Sequence, residues 1–548
     1  MKKKLFGNTS GLRKTQIKTI ETLYNFRTPP DYIIDPELAH LLVKLSHEIR
    51  RQIGLLIDRN GKVIYVIVGE AQQIVIPVTS GYTALPGRLK GLRLIHTHLK
   101  KEPLTRDDLT DLALLRLDYI TAVCITSDGK PGTVYSGHIL PDENSAPYQV
   151  IDPGTIQHLN IDCLAQILAL ESELTRNNSL YTPESGTENA FLINATTLDP
   201  KEAWASMDEL KELCKTSHIN VIGTAVQRKK NIDPKFVVGK GKLSSLIIQA
   251  IQKYATMLVF NRELSASQIR SITDFVEMKV IDRTQLILDI FAKQAKSREG
   301  KYQVELAQME YLLPRLITKN TAMSRLTGGI GGRGPGETKL ELNRRRVRDR
   351  INRLKKEITK IHKQRRQQKS RRKRKDLPII SIVGYTNAGK STLLNTLTQS
   401  KIIVANRLFA TLDPSSRRLR FPRDTEVIIT DTVGFIQDLP KELMQAFHAT
   451  LEELADADII LHVIDISNPR YQQQKESVEK ILKNLKLDTI PTLYVFNKTD
   501  RIDLNSFDDK WLLNQGFHIS AIQKQTLKPL VEKLESMVAA YKKIGVDQ

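Results

Sequence analysis

The sequence has 548 residues, of which 40% are hydrophobic and 26% are charged, enough apolar mass for several domains of ordinary size. Its three cysteines lie far apart with no C-x-x-C pair, which argues against a disulfide framework or a cysteine zinc cluster. Lys and Arg outnumber Asp and Glu by 83 to 61, and the resulting net charge of +22 favours a polyanionic partner such as nucleic acid.

Nothing in the sequence predicts a membrane-spanning or secreted protein. Its apolar runs fall short of the ~20 residues that a spanning helix needs. The lysines after Met1 are not followed by the apolar core of a signal peptide. We therefore expect a cytoplasmic protein without stable membrane association. We also expect a monomer.

The first region, residues 1–180, is predicted to be an additional α/β domain. Its apolar runs at 52–58 and 63–68 have the composition of strands. Asn60-Gly61 between them is typical of a tight hairpin turn. A polar stretch at 175–187 predicts a linker to the next region.

The second region, residues 190–285, alternates short apolar strands with helical patterns, which predicts a small parallel α/β domain. The predicted strands and helices are, in chain order, 190–194, helix 202–215, 221–225, helix 242–253, 256–260 and 280–282.

The third region, residues 286–375, is dominated by charged helical patterns, one at 283–326 and one at 340–375. A glycine-rich stretch between them cannot be helical, so the pair predicts a helical hairpin with a loop. The second helix ends in a basic run at 363–375. On its own such a run fits a solvated linker as well as nucleic-acid contact, and the charge excess of the whole chain favours nucleic acid.

The last region, residues 376–548, begins with a predicted strand, a glycine-rich loop and a helical pattern. This order predicts the phosphate-binding loop of a P-loop fold, in which backbone N–H groups and a helix N-terminus face the phosphates. Lys390 is predicted to neutralise the β/γ-phosphates, and Ser391 to ligate Mg²⁺. The predicted loop residues are Gly384, Tyr385, Thr386, Asn387, Ala388, Gly389, Lys390, Ser391 and Thr392.

Later motifs predict that the bound base is guanine. Asp431 follows an apolar strand and can reach the metal ion through water, while the N–H of Gly434 can contact the γ-phosphate. Asp500 can accept two hydrogen bonds that guanine offers and adenine does not. The other predicted pocket residues are Asn497, Lys498, Ser520 and Ala521. We therefore expect an enzyme that binds GTP and GDP with Mg²⁺ and hydrolyses GTP.

Two residues are predicted to respond to the nucleotide. Thr411 is the candidate that reaches Mg²⁺ and the γ-phosphate only in the GTP state. Phe435 stands where Ras-like enzymes have a water-orienting glutamine, so intrinsic hydrolysis is expected to be slow. Asn387 resembles the asparagine that ligates K⁺ in several GTPases with a hydrophobic residue at the Phe435 position. K⁺ is therefore an expected further cation.

Several segments together form the signature of one family, namely 237–242, 260–261, 328–341 with Arg344–Arg346, 384–392, 409–413 and 431–435. Through them the chain, from residue 190 to its end, resembles the HflX family of GTPases. The resemblance implies a ribosome-stimulated GTPase that binds the large ribosomal subunit and dissociates or rescues stalled ribosomes under stress. It also implies that the hairpin approaches ribosomal RNA, through Arg333, Lys339, Arg344, Arg345 and Arg346. Some members carry a further domain after the GTPase core, whereas here residues 528–541 are interpreted as the last helix.

The first region contains one candidate metal site. His96 and His98 follow an apolar strand, and Asp108 lies one loop farther on. This pattern resembles the zinc sites of JAB/MPN-type (RadC-like) proteins, with Glu70 as the upstream acid. The spacing is one residue short, and Thr105 stands where serine is usual. A zinc site, a similar fold without metal and a chance pair of histidines are the three alternatives.

Two other functions compete with that of a ribosome-binding GTPase. An RNA-modification or RNA-processing GTPase of the TrmE type would share Asn387 and a hydrophobic residue at 435. It would normally need a cysteine near its C-terminus, where this sequence has none. A peripheral membrane switch could use residues 363–375, but no amphipathic helix with aromatic anchors accompanies that run.

Overall fold

A computed structural model provides the structure of the chain. The residues that it describes are 4–77, 79, 82, 88–140, 147–156, 162–181, 187–276, 278–316, 339–372, 377–398, 409, 415–422, 425–432, 434–436, 443–444, 452–502 and 515–546. The chain divides into two compact units. One comprises Met1–Trp204, Ile219–Asn261 and Ser267–Ile281, and the other comprises Ala205–His218, Arg262–Ala266 and Asp282–Gln548.

The first unit contains a seven-stranded mixed sheet in the order β1-β3-β2-β4-β5-β6-β7. Its strands are β1 Leu5–Gly7, β2 Ile53–Asp58, β3 Val63–Val68, β4 Leu92–His98, β5 Tyr119–Ile125, β6 Pro131–Ile139 and β7 Tyr148–Gly154. Its helices are α1 Lys14–Glu21, α2 Pro36–Ile49, α3 Arg106–Leu115 and α4 Cys163–Tyr181. Both faces of the sheet are buried, since α2 packs on one face and α3 with α4 on the other.

The predicted hairpin of β2 and β3 is confirmed. The two strands pair antiparallel, and Asp58 and Lys62 close the turn by a backbone hydrogen bond of 3.0 Å. Gly61 has φ +77°, and a Cβ there would lie 1.7 Å from the carbonyl oxygen of Thr28. The turn therefore requires glycine at this position.

The predicted linker at 175–187 is wrong in its first part, because α4 continues to Tyr181. Ile167 and Leu174 on this helix are buried, and Leu170 packs beside them against the sheet. Apolar residues at this helical spacing extend the helix into the polar stretch. Residues 182–186 lie outside the described part.

The same unit contains a second, four-stranded sheet in the order β11-β10-β8-β9, in which β8 runs parallel to both β9 and β10. Its strands are β8 Asn189–Thr196, β9 Asn220–Arg228, β10 Met257–Phe260 and β11 Lys279–Asp282. The helices that follow β8, β9 and β10 in the chain are α5 Pro200–Thr216, α6 Lys240–Gln252 and α7 Ala266–Phe275. Residues 205–216 of α5 belong to the other unit. The predicted small parallel α/β arrangement is confirmed.

The long helix predicted at 283–326 is wrong. The chain forms α8 Arg283–Gln294 and α9 Arg298–Leu312, with an extended residue, Ala295, between them. Ser297 begins the second helix, because its side chain accepts a hydrogen bond of 2.9 Å from the Gly300 N–H. A 3₁₀ turn, Leu313–Arg315, follows α9.

The helical hairpin is formed by α9 and α10, Lys339–Arg372. Arg298 of α9 pairs with Glu357 of α10, and Glu305 pairs with Arg350, so the two helices run antiparallel. Leu306, Ile351, Leu354 and Ile358 form the apolar contact between them. The glycine-rich stretch that joins the helices lies outside the described residues.

The second unit also contains a six-stranded sheet in the order β13-β14-β12-β15-β16-β17. Its strands are β12 Ile379–Gly384, β13 Ser415–Arg420, β14 Glu426–Asp431, β15 Ile459–Asp465, β16 Thr492–Asn497 and β17 Phe517–His518. Its helices are α11 Lys390–Thr398, α12 Tyr471–Asn484 and α13 Lys528–Val546, with 3₁₀ turns at Glu452–Asp456, Thr499–Arg501 and Lys524–Leu527.

All strands of this sheet except β13 are parallel. Their carboxyl ends therefore meet at one edge, where open α/β sheets bind ligands. The α/β fold class predicted from the sequence is confirmed. Among the described residues no helix is long and apolar enough to cross a membrane.

Candidate functional site

The glycine-rich loop lies between the end of β12 and the start of α11, at the carboxyl edge of the sheet. Gly384, Asn387 and Gly389 have positive φ angles of 152°, 62° and 96°. These backbone angles curl the loop around the N-terminus of the helix. The loop thereby gains the geometry in which backbone N–H groups and a helix dipole hold phosphate.

The side-chain amide of Asn497, at the end of β16, ties this loop to a second one. Its Nδ2 donates to the carbonyl oxygen of Ala388 at 2.7 Å, and its Oδ1 accepts from the N–H of Ala521 at 2.9 Å. A Cβ on Gly389 would lie 2.2 Å from Asn497 Nδ2, so this close approach requires glycine. One buried amide thus fixes the spacing between the two loops.

Lys390 begins α11 and is buried inside the loop. Its Nζ donates to the carbonyl oxygens of Gly384 at 3.1 Å and Tyr385 at 2.9 Å. Burial lowers the pKa of this lysine to about 8, although the negative charge of Asp431 partly opposes the shift. A phosphate group in the loop would favour the charged form again, so the ammonium group is placed for an anionic ligand.

Ser391 and Asp431 form the part of the site that can hold a divalent cation. The Ser391 hydroxyl donates to Asp431 Oδ2 at 2.7 Å. A hydroxyl and a carboxylate at the foot of a phosphate loop are oxygen ligands of the kind that Mg²⁺ prefers. The predicted third group, Thr411, lies outside the described residues. The nearby Phe409 is described, and its ring lies 4.5 Å from that of Phe291 on α8.

The chain after Asp431 lies directly against the phosphate loop. The Phe435 N–H donates to the Gly384 carbonyl at 3.1 Å, and the Thr386 N–H donates to the Phe435 carbonyl at 2.7 Å. A Cβ on Gly434 would lie 2.9 Å from Lys390 Nζ. The Phe435 side chain is buried, and its hydrocarbon ring has no polar atom with which to orient water.

The predicted base-binding residues are brought together by β16 and the chain after β17. Asp500 is exposed, and its Oδ1 accepts a hydrogen bond of 2.6 Å from the Ser520 hydroxyl. Lys498 has φ +66°, and its Nζ lies 2.6 Å from Oδ2 of Asp465. Sequence reasoning missed Asp465, although its position at the end of an apolar strand on the same edge was a usable signal.

A second group that the sequence did not reveal is Glu209 of α5, which is buried beside the phosphate loop. The Tyr385 hydroxyl donates to Glu209 Oε1 at 2.6 Å. Arg283 and Arg470 lie 3.3 Å and 3.8 Å from Glu209 Oε2. This carboxylate is 176 residues from Tyr385 in the chain, so no local pattern could have indicated the contact.

The basic residues predicted to contact RNA are only partly described. Arg333 lies outside the described residues, and Lys339 is the first residue of α10. Arg344 is half-buried and donates to the Leu316 carbonyl at 3.3 Å, whereas Arg345 and Arg346 are exposed.

The candidate metal ligands of the first region also converge. One ligand atom from each of His96, His98 and Asp108 lies within 4.8 Å of the others. Glu70, predicted as the upstream acid, is exposed after β3, and β2 lies between that strand and the histidines.

Three family models match the chain between residues 204 and 498. Residues 204–292 match the family model "GTP-binding GTPase N-terminal", 294–372 match "GTP-binding GTPase Middle Region", and 379–498 match "50S ribosome-binding GTPase".

Curated relatives match between 57% and 64% of the chain. The GTPase HflX of Caldanaerobacter subterraneus is 45% identical over 348 residues, which is 64% of this chain and 80% of that protein. The chain belongs to the HflX family. The GTPase HflX of Alkalihalophilus pseudofirmus is 47% identical over 57% of this chain and 74% of its own length, and that of Escherichia coli is 41% identical over 58% and 74%.

Membership of the HflX family establishes the activity, because the relatives named above are GTPases and residues 379–498 match a GTPase family model. The chain binds GTP and hydrolyses it. The TrmE-type alternative is not favoured by these relatives.

The contact between Ser520 and Asp500 generates a prediction about the base. Asp500→Asn replaces an acceptor by a donor where the N1–H and amino group of guanine would bind. We expect GTP affinity to fall on the order of 100-fold and XTP affinity to rise by a similar factor. Equilibrium titration of both nucleotides measures this.

Asp488→Asn, which makes the same change at an exposed position, is the matched control for that titration. Unchanged GTP affinity in Asp500→Asn, with no gain for XTP, would show that Asp500 does not read the base.

Proposed function

We propose that this HflX-family GTPase binds the large ribosomal subunit, hydrolyses GTP there, and dissociates or rescues stalled ribosomes under stress. The observation that carries the proposal is the distribution of charge on α10. The name of the family model matched by residues 379–498, which includes ribosome binding, also supports it.

The two long faces of α10 differ sharply in chemistry. At 100° per residue, one face carries the apolar residues Val347, Ile351, Leu354 and Ile358, which pack on α9. The opposite face carries exposed cations at matching helical spacing, namely Arg346, Arg353, Lys356, Lys360 and Lys363. We call these five residues the basic stripe.

An ordinary solvated helix face would balance its cations with acids three or four residues away. Asp349 stands at that spacing from Arg346 and Arg353, and Glu357 from Arg353. Within the described residues, however, Lys360 is the one member of the basic stripe that forms an ion pair, with Glu357 at 2.8 Å. The other four have no acidic partner within the described ranges of the chain. Guanidinium and ammonium groups left free along one line suit the regularly spaced phosphates of RNA.

The nucleotide site supports hydrolysis with Mg²⁺ as the cation. Ser391 would ligate the ion directly, Asp431 would hold it through water, and Thr411 would join them in the GTP state. Bound Mg²⁺ supplies positive charge to the β- and γ-phosphates. Lys390 would neutralise the same phosphates, and the N–H of Gly434 would contact the γ-phosphate.

The side chain at position 435 is a phenylalanine, which cannot orient the attacking water. We propose that K⁺ bound at Asn387 supplies charge to the transition state in place of an arginine finger. Asn387 is exposed, whereas its neighbours Thr386 and Ala388 are buried. Its positive φ of 62° is a conformation that asparagine tolerates better than most residues.

This proposal predicts a dependence on the monovalent cation. Replacing KCl by NaCl at equal ionic strength should slow single-turnover GTP hydrolysis at least about tenfold. GTP affinity should change little, because the added charge acts on the transition state. Asn387→Ala should hydrolyse slowly in both salts. Equal wild-type rates in KCl and NaCl would contradict the K⁺ site.

The basic stripe predicts how ribosome binding responds to salt. Replacing Arg346, Arg353 and Lys356 together by Gln should weaken co-sedimentation with large subunits and lower the salt slope by about 2, since each phosphate contact adds ~0.7–0.9. Basal GTP hydrolysis should persist, and its stimulation by ribosomes should fall with binding.

A triple variant with Lys524, Lys528 and Lys533 changed to Gln is the matched control, because it removes the same charge from exposed positions near and on α13. Equal loss of binding in both variants would show that ribosome binding depends on net charge and not on the basic stripe. Wild-type co-sedimentation of the α10 variant would refute a role of the basic stripe in ribosome binding.

A further inference from the structure

A carboxylate on the buried side of α5 has its partners in distant parts of the chain. Glu209 lies on this helix among Met207, Leu210 and Leu213, which are apolar and fully buried. A carboxylate in such surroundings is unfavourable unless hydrogen bonds and opposite charges replace the lost water. The partners of Glu209 therefore have to come from elements packed against α5.

Three side chains from three separate elements supply these partners. The Tyr385 hydroxyl donates a hydrogen bond of 2.6 Å to Glu209 Oε1. Arg283, the first residue of α8, lies 3.3 Å from Oε2, and Arg470, the residue before α12, lies 3.8 Å from the same oxygen. One carboxylate oxygen thus pairs with arginines, while the other holds the phosphate loop. All four residues belong to the same compact unit.

The ion pair with Arg283 would be enough to explain a buried glutamate as part of the core. It does not explain the contact with Tyr385. The Tyr385 side chain is itself buried, and a buried hydroxyl needs a hydrogen-bond partner. Phenylalanine would fill nearly the same volume without that need. The hydroxyl therefore adds a connection between the phosphate loop and α5 that packing alone does not require.

The backbone of Tyr385 lies in the part of the loop that handles phosphate. Its carbonyl oxygen accepts a hydrogen bond of 2.9 Å from Lys390 Nζ. Tyr385 also forms a parallel bridge with Phe435, which places the chain after Asp431 against the loop. A hydrogen bond at the far end of the Tyr385 side chain therefore restricts the residue that contacts both Lys390 and Phe435.

We propose that Glu209 is a positioning residue of the nucleotide site, which holds the phosphate loop through the Tyr385 hydroxyl and thereby couples nucleotide binding to α5. The proposal rests on the assignment of residues 384–392 as the phosphate loop. A loop that is already held in its binding conformation loses less conformational entropy when the nucleotide binds. Because coupling between two sites is reciprocal, a bound nucleotide in turn stabilises α5 in its place.

Conservative variants separate the hydrogen bond from the ion pairs. Tyr385→Phe removes only the hydroxyl, so the affinity for GDP and for GTP should fall about tenfold, as expected for one hydrogen bond to a charged group. Glu209→Gln keeps an oxygen that can accept from Tyr385 but removes the charge that pairs with Arg283. It should lower the melting temperature, while GDP affinity stays within about threefold of the wild type.

A purely structural role of Glu209 gives the opposite pattern. In that case Tyr385→Phe binds GDP like the wild type, and Glu209→Gln loses affinity together with stability. Either result would overturn the proposal. Tyr494→Phe is the matched control, because it removes a hydroxyl that donates to Glu479 at 2.7 Å outside the phosphate loop. It should bind GDP normally.

A double variant tests whether the two residues act through one bond. Glu209→Ala should lose GDP affinity about as Tyr385→Phe does, and the combination of both should lose no more than Glu209→Ala alone. Losses that add in the double variant would show two independent effects and overturn the proposal.

Hydrogen exchange tests the coupling from the side of α5. Saturating GDP should slow amide exchange in residues 205–216 of the wild type at least about fivefold, and should have little effect there in Tyr385→Phe. Equal protection of α5 by GDP in both proteins would overturn the coupling.

Lys390→Ala separates failure of this proposal from failure of the loop assignment on which it rests. Wild-type GDP affinity of Lys390→Ala would overturn the assignment of the phosphate loop and the proposal with it. Weak binding by Lys390→Ala with wild-type binding by Tyr385→Phe would overturn only the role of Glu209.

Discussion

The two hydrogen bonds of the Asn497 side chain are the constraint on which the nucleotide site depends. The phosphate loop follows β12, and the chain that carries Ser520 and Ala521 follows β17, three strands away in the sheet order. Strand pairing alone leaves the distance between these loops free. The Asn497 amide fixes it by holding Ala388 on one side and Ala521 on the other. The loop that binds the phosphates and the loop that binds the base are therefore held at a fixed distance from each other.

Charged side chains also fix the positions of groups in the two loops. Lys390 is buried against its own loop carbonyls, a costly position for an ammonium group unless an anion is bound. Asp465 holds Lys498, and Glu209 holds Tyr385 with two arginines beside it. The Glu209 contact connects α5 to the phosphate loop within one compact unit. A displacement of Glu209 would therefore move Tyr385 in the phosphate loop.

The parts of the structure that were predictable from sequence are those with a local cause. The strand, loop and helix around Lys390 have a local pattern, and so has the hairpin at Asn60-Gly61. The break at Ser297 was missed because the cap lies inside an otherwise continuous helical pattern. The helical part of the predicted linker was missed because buried Leu174 outweighed polar composition.

Contacts between distant parts of the chain could not be predicted. Glu209 shows no pattern that separates it from other acidic residues, and only the folded chain places it at the site. The spacing of His96, His98 and Asp108 was visible in the sequence. The contact of His98 Nδ1 with the Glu102 carbonyl and the pairing of His96 with Gly54 could be seen only in the folded chain.

The affinity of Asn497→Ala for GDP and GTP tests the central claim most directly. Removing the amide leaves the Ala388 carbonyl and the Ala521 N–H without their buried partner, at a cost of about 3 kcal/mol in nucleotide binding, on the order of 100-fold. Asn484→Ala, an exposed change of the same kind on α12, is the control. The account predicts an equal loss of affinity for both nucleotides, because the amide fixes the two loops and does not contact the γ-phosphate. Wild-type affinity of Asn497→Ala for both nucleotides would contradict it.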